Sequence, residues 1–80
     1  MFDLTIISPR KVVFENEVEK VLLDGEQTEF ELSSFHAPLI DVLRSGRIVI
    51  DGKRAVAIER GVVNFFNNRC VILIEEKKNK

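Results

Sequence analysis

RIVIDGKRAV, Arg47 to Val56, is the stretch that decides the class of fold. Two short runs, Arg47 to Ile50 and Lys53 to Val56, flank Asp51-Gly52, a pair suited to the two positive φ angles of a type I′ turn. That turn predicts a hairpin in which Ile50 pairs with Lys53 and Ile48 with Ala55 on a core face, leaving Arg47, Val49, Arg54 and Val56 on the other. A second hairpin follows around Asn67-Asn68, between Gly61 to Phe66 and Arg69 to Ile74, because asparagine tolerates left-handed φ better than most residues. Its register gathers Val63, Phe65, Cys70, Ile72 and Ile74 on one face, and Val62, Asn64, Phe66, Arg69, Val71 and Leu73 on the other. The second face is too apolar to be left in water, so it is either buried between layers or covered by a partner.

Upstream the same rhythm continues. Phe2, Leu4 and Ile6 alternate with Asp3 and Thr5, a strand over residues 2–7 that Ser8-Pro9 ends. From Lys11 to Leu23 two β-rich segments are separated by Glu15-Asn16-Glu17, which reads as a bulge or tight bend. Asp24-Gly25 opens a turn through the freedom of glycine at positive φ. Thr28 to Leu32 sets Phe30 and Leu32 on one face and Glu29 and Glu31 on the other, and Leu39 to Leu43 reads as a strand or a single helical turn. Between them lies FHAPLIDVLRSG, Phe35 to Gly46, with the only histidine and one of the two prolines of the chain. A bend between strands is where a presented, shape-specific surface belongs. Many short strands with closely spaced turns and no long helix predict an all-β sandwich or barrel.

Composition bounds the function. Eighty residues make one domain, predicted here over residues 1–75 with a polar tail at 76–80, and a chain of this size buries only about 60 to 65% of its unfolded surface. A formal charge of −1 and the absence of Trp and Tyr remove both the basic footprint and the stacking platforms that nucleic acids require. The single cysteine, Cys70, forms no internal disulfide, which makes the cytosolic side the default. No apolar run approaches the roughly 20 residues of a membrane span, so no direct membrane insertion is expected. MFDLTIISPRK lacks the layout of a signal peptide, and Met1 reads as a true start.

Candidate chemistry is sparse. One histidine, His36, without neighbouring Cys or His fails the ligand count of a metal site. Glu29 and Glu31 could act as a carboxylate acid and base, but an open strand face offers them no enclosing pocket. Cys70, on an inward hairpin face, reads as a small core residue rather than a nucleophile. Arg44, Arg47 and Arg54 are scattered, with no glycine-rich phosphate loop beside them. No residue is therefore assigned to catalysis, metal or cofactor, and the residues alone predict a small all-β binding domain.

The order of pieces nevertheless resembles a known family. SPRKVVFENEVEKVLLDGEQTEFELSSFHAPLIDVLRSG followed by IERGVVNFFNNRCVIL, nearly all of residues 2–74, is similar to the N-terminal β-sandwich domain of the epsilon subunit of F-type ATP synthases, with HAPL as the most specific element. The resemblance implies two packed sheets of roughly five strands each and a non-catalytic central-stalk role. It implies coupling of ion-driven c-ring rotation to the gamma subunit during ATP synthesis, at the cytoplasmic face of the bacterial inner membrane, by a chain that is a monomer when isolated. Carried over by position, Glu29, with Glu31 beside it, faces the polar loops of the c-ring, and His36 and Asp41 lie against gamma. Phe66 and Val71, apolar where the family is usually polar, add to that gamma-facing set. The family commonly has glycine where Thr28, Glu31 and Phe35 stand, a proline near Ser34 and a paired glycine at Arg60-Gly61, so side chains here restrict the loop before His36. The helical hairpin that follows the sandwich in the family has no counterpart in the sequence. The rival readings are an unrelated small β-barrel or sandwich adaptor or ligand-binding module and, third, a paired-carboxylate enzyme.

Overall fold

Side chains alternating at a period of two, broken by turn residues, can bury one face of every strand only by packing two layers together. The computed structural model describes residues 1–77 and shows that arrangement. Its strands are β1 (Phe2–Ile7), β2 (Val12–Val18), β3 (Lys20–Asp24), β4 (Glu29–Ser33), β5 (Leu39–Leu43), β6 (Gly46–Ile50), β7 (Arg54–Phe66) and β8 (Arg69–Glu76). Hydrogen bonding runs in one path, β2-β1-β8-β7-β6-β3-β4, with β5 joined to β7. The 13-residue β7 is shared between layers. Its first half pairs with β6 and its second with β5, and its ladder with β8 shifts between Ile58 and Arg60. One layer is thus β5-β7-β8-β1-β2 and the other β7-β6-β3-β4, five strands and four where about five and five were expected.

The core lies between these layers. Phe2, Leu4, Ile6, Val63, Phe65, Cys70 and Ile72 from the first meet Val21, Leu23, Leu32, Ile48 and Ile50 from the second in a single buried cluster. Phe2 and Phe65 meet edge to face at 5.3 Å. Each such side chain contributes about 1.5–3 kcal/mol on burial, and their alternation with exposed neighbours fixes which face of each strand turns inward.

Several local expectations need correction. In the hairpin around Asp51-Gly52 the tight turn forms, with φ of 52° and 67° and Lys53 N–H donating to the Ile50 carbonyl at 2.9 Å. Strand pairing, however, sets Ile50 opposite Arg54 and Ile48 opposite Val56. Val56 and Ile58, not Ala55, therefore share the inward side with Ile48, because that register buries Ile58 and the alternative would expose it. Glu15, Asn16 and Glu17 make no bulge: they pair in step with Thr5, Leu4 and Asp3, and the irregularity falls opposite Ile6 and Ile7. The break between β2 and β3 is at Glu19, where Asp51 Oδ1 accepts from the Glu19 and Lys20 N–H groups, each at 2.9 Å.

Gly25 does open a turn, its N–H bonding the Thr28 carbonyl at 3.0 Å, but it is not among the residues with positive φ. Space is the reason for glycine there: a Cβ would stand 2.6 Å from the Thr28 carbonyl oxygen and 2.8 Å from the Phe30 ring. Residues 39–43 form a strand and not a helical turn. β8 runs to Glu76, one residue past the expected boundary at 75; residues 78–80 of the expected tail lie outside the described residues.

Candidate functional site: the outer face of the five-stranded layer

The histidine loop is held by backbone geometry and one carboxamide. Phe35 stands at φ +62° with its N–H donating to Asn68 Oδ1 at 2.8 Å. Asn68 Nδ2 donates to the Met1 carbonyl at 2.9 Å, so the loop, the β7–β8 turn and the start of β1 meet at one residue. His36 Nδ1 lies 2.7 Å from the Ala37 carbonyl oxygen; a carbonyl only accepts, so that nitrogen carries the proton. The imidazole is exposed and meets Phe65 edge-on at 5.8 Å.

From this loop the chain enters β5, whose alternation has two consequences. Leu39, Asp41 and Leu43 lie opposite Phe65, Val63 and Gly61 on the core side, while Ile40 and Val42 lie opposite Asn64 and Val62 on the outer side. The ladder continues from Val62 to Leu73 and from Asn64 to Val71 on β8. Val42, Val62 and Leu73 thus form one apolar row across three strands, with Ile40 and Val71 in the next and Phe66 at the end of β7. Ile40 is 73% exposed, Phe66 65% and Leu73 54%, and Val71 is half-buried. Pro38, Leu39, Ile40, Asn64, Phe65 and Phe66 line a shallow groove at the loop end of this face.

The residues singled out from sequence divide. Phe66 and Val71 belong to this face, and His36 stands at its end. Asp41 does not share it: half-buried on the core side of an edge strand, it accepts from the Val42 N–H at 2.8 Å through Oδ1. An inward charge on an edge strand discourages strand-to-strand aggregation. Glu29 and Glu31 are exposed on β4 at the outer edge of the other layer, opposite Asp24 and Leu22. Among the described residues no three His, Cys, Asp or Glu side chains group as metal ligands.

Among the described residues two groups have shifted acidities. Burial pushes the Cys70 thiol up to about 12, leaving almost no thiolate at neutral pH, in keeping with its place in the core. Asp51 is held below the usual carboxylate range, chiefly by the Lys20 N–H; partial desolvation opposes the shift, and the Glu19 N–H and the Lys53 and Lys20 charges add to it. Ile40 and Val42 were missed from sequence because Leu39 to Leu43 is apolar at every position but Asp41, with no alternation to separate a strand from a helical turn. The Asn68 clamp left no signal, since its partners are 33 and 67 residues away.

Fold and site together define a small β-sandwich domain with one open apolar sheet face. Residues 1–79 match the family model described as ATP synthase, Delta/Epsilon chain, beta-sandwich domain, and the chain belongs to that family. It is 34% identical over 76 residues to the ATP synthase epsilon chain of Campylobacter fetus subsp. fetus (strain 82-40), covering 90% of this chain and 59% of that relative. To the ATP synthase epsilon chain of Chlorobium limicola it is 30% identical over 79 residues, covering 94% of this chain and 90% of the relative. The chain thus spans about three fifths of the first relative and most of the second. In fold it is similar to a chain of the Tetrahymena thermophila mitochondrial ATP synthase central stalk and c-ring, with a TM-score of 0.81 at 14% identity, covering 92% of this chain and 63% of that one.

Proposed function

We propose that this domain is a non-catalytic rotor part of an F-type ATP synthase, coupling c-ring rotation to the gamma subunit during ATP synthesis driven by an ion gradient. The observation that carries this reading is the apolar row Val42-Val62-Leu73, flanked by Ile40, Val71 and Phe66, left open on a domain of this family. Such a face costs free energy in water and recovers it against a complementary surface. Gamma is the partner assigned to this face, with His36, Phe66 and Val71 in contact and Asp41 at the edge strand beside them. The c-ring loops are assigned to Glu29 and Glu31 on the other layer. Two partner surfaces on two layers of one rigid sandwich suit the passage of torque, which needs complementary contacts and no bond chemistry.

No helix among the described residues is long and apolar enough to cross a membrane, and the reading places the chain peripherally at the cytoplasmic face of a bacterial inner membrane. Calorimetric titration of the isolated monomer against the gamma subunit of its own organism tests it. One-to-one binding is expected, weakened about 30-fold or more by Phe66→Asp, which puts a charge against the apolar face that gamma covers. His36→Ala and Asp41→Arg should weaken it less. No complex, from a folded chain and intact gamma, overturns the gamma assignment.

A further inference from the structure

Phe35 adopts φ +62°, a conformation that glycine enters freely and an aromatic residue only against steric repulsion. Its side chain is 84% exposed, so packing of the ring does not offset that strain. What holds the backbone is the hydrogen bond from the Phe35 N–H to Asn68 Oδ1 at 2.8 Å. The same carboxamide donates to the Met1 carbonyl at 2.9 Å, and the Asp3 N–H reaches the Asn68 carbonyl at 3.3 Å. Only one orientation of the amide satisfies both side-chain contacts, since the Phe35 N–H needs an acceptor and the Met1 carbonyl a donor. Asn68 itself sits at φ 60° in the β7–β8 turn, two residues after Phe66. The residue after Phe35 is His36, resting on Phe65, and β5 with Ile40 follows. The direction in which the chain leaves Phe35 therefore sets where His36 and Ile40 lie relative to Phe66.

The geometry points to Asn68 as a positioning residue for partner binding: its carboxamide holds the loop in the left-handed conformation at Phe35, and so holds His36 and Ile40 in the arrangement that the gamma subunit meets. This rests on the gamma reading of the outer face given above. Asn68 need not touch the partner for its removal to be felt there.

Asn68→Gly is the informative variant, because Asn-Gly is a favoured type I′ pair that preserves the turn while removing the carboxamide. The affinity for gamma should fall roughly 3- to 10-fold, the size of the lost Phe35 hydrogen bond, which of the two removed is the one that holds the loop. In the isolated chain, NMR should show Phe35 losing the short amide-to-Hα distance of positive φ and the His36 ring protons losing the shift imposed by the Phe65 ring. Asn68→Asp, which keeps the acceptor for Phe35, should recover most of the affinity. In a Phe35→Gly background, where positive φ needs no restraint, Asn68→Gly should cost less than about twofold.

A purely structural role would give the same affinity loss in both backgrounds with the Phe35 and His36 signals unchanged, and that result overturns the proposal. Wild-type chain that binds gamma while Asn68→Gly binds equally well also overturns it, leaving the docking reading intact. Wild-type chain that fails to bind gamma removes the docking reading and this one with it.

Discussion

The turns at the two ends of β7 perform the same backbone task with opposite attachments. Asp51-Gly52 and Asn67-Asn68 both place two successive residues at positive φ, 52° and 67° in the first and 53° and 60° in the second. Each then sends one side chain out of its own hairpin to fasten another segment. Asp51 uses a charged oxygen to bind the Glu19 and Lys20 N–H groups at the β2–β3 junction. Asn68 uses a neutral amide to join Phe35 to Met1. The first end of β7 is secured by charge between strands of the core scaffold, the second by a neutral clamp on a loop that serves the outer face. Fixing the scaffold and fixing the loop before β5 are thereby separable by substitution.

The largest expected effect comes from Asp51→Ala, which loses both hydrogen bonds and puts alanine at positive φ. Urea denaturation should show a loss of about 1–2 kcal/mol. Asn68→Gly should lose less, about 0.5–1 kcal/mol by the same measurement, since its bonds are made by a neutral amide and glycine suits the turn. The two ends should also respond differently to acid. The folded-state acidity of Asp51 lies below the ordinary value of 3.8, so its contribution is fully present above that value and is lost as pH falls through the folded pKa. The stability gap between wild type and Asp51→Asn should accordingly be constant from pH 7 to about 5 and then shrink with further acidification. The gap between wild type and Asn68→Gly should not change over the same range, as no titrating group is removed. A shared acid response would break the comparison. The smallest effect is Phe35→Gly, where relief of strain outweighs the added freedom of the unfolded chain by about 0.5 kcal/mol, seen as a small rise in Tm.

The same two hairpins show what sequence can carry. Around Asn67-Asn68, strong apolar alternation on both arms, Val63-Phe65 and Cys70-Ile72-Ile74, made the register and both faces legible, and the structure has them as read. Around Asp51-Gly52 neither arm alternates clearly, the first being a continuous apolar run, Ile48-Val49-Ile50. Lys53-Arg54-Ala55 gives no apolar signal near the turn, so the slip of one residue was decided further along by Val56 and Ile58. The family resemblance and the all-β class were carried by the ordered motifs and turns. The site was half legible: Phe66 and Val71 follow from hairpin parity, whereas the side on which Asp41 falls depends on residues 39–43 being a strand. The positive φ of Phe35 and its bond to Asn68 depend on a contact across 33 residues, which no local pattern encodes.

The central claim is that gamma docks on the outer face of the five-stranded layer. Methyl NMR of the labelled chain titrated with unlabelled gamma tests it most directly. Ile40, Val42, Val62, Val71 and Leu73 should shift or broaden together at one-to-one stoichiometry, while the Leu22 and Val49 methyls of the other layer stay in place. Shifts confined to Leu22 and Val49, or no shifts at saturating gamma, would contradict the account.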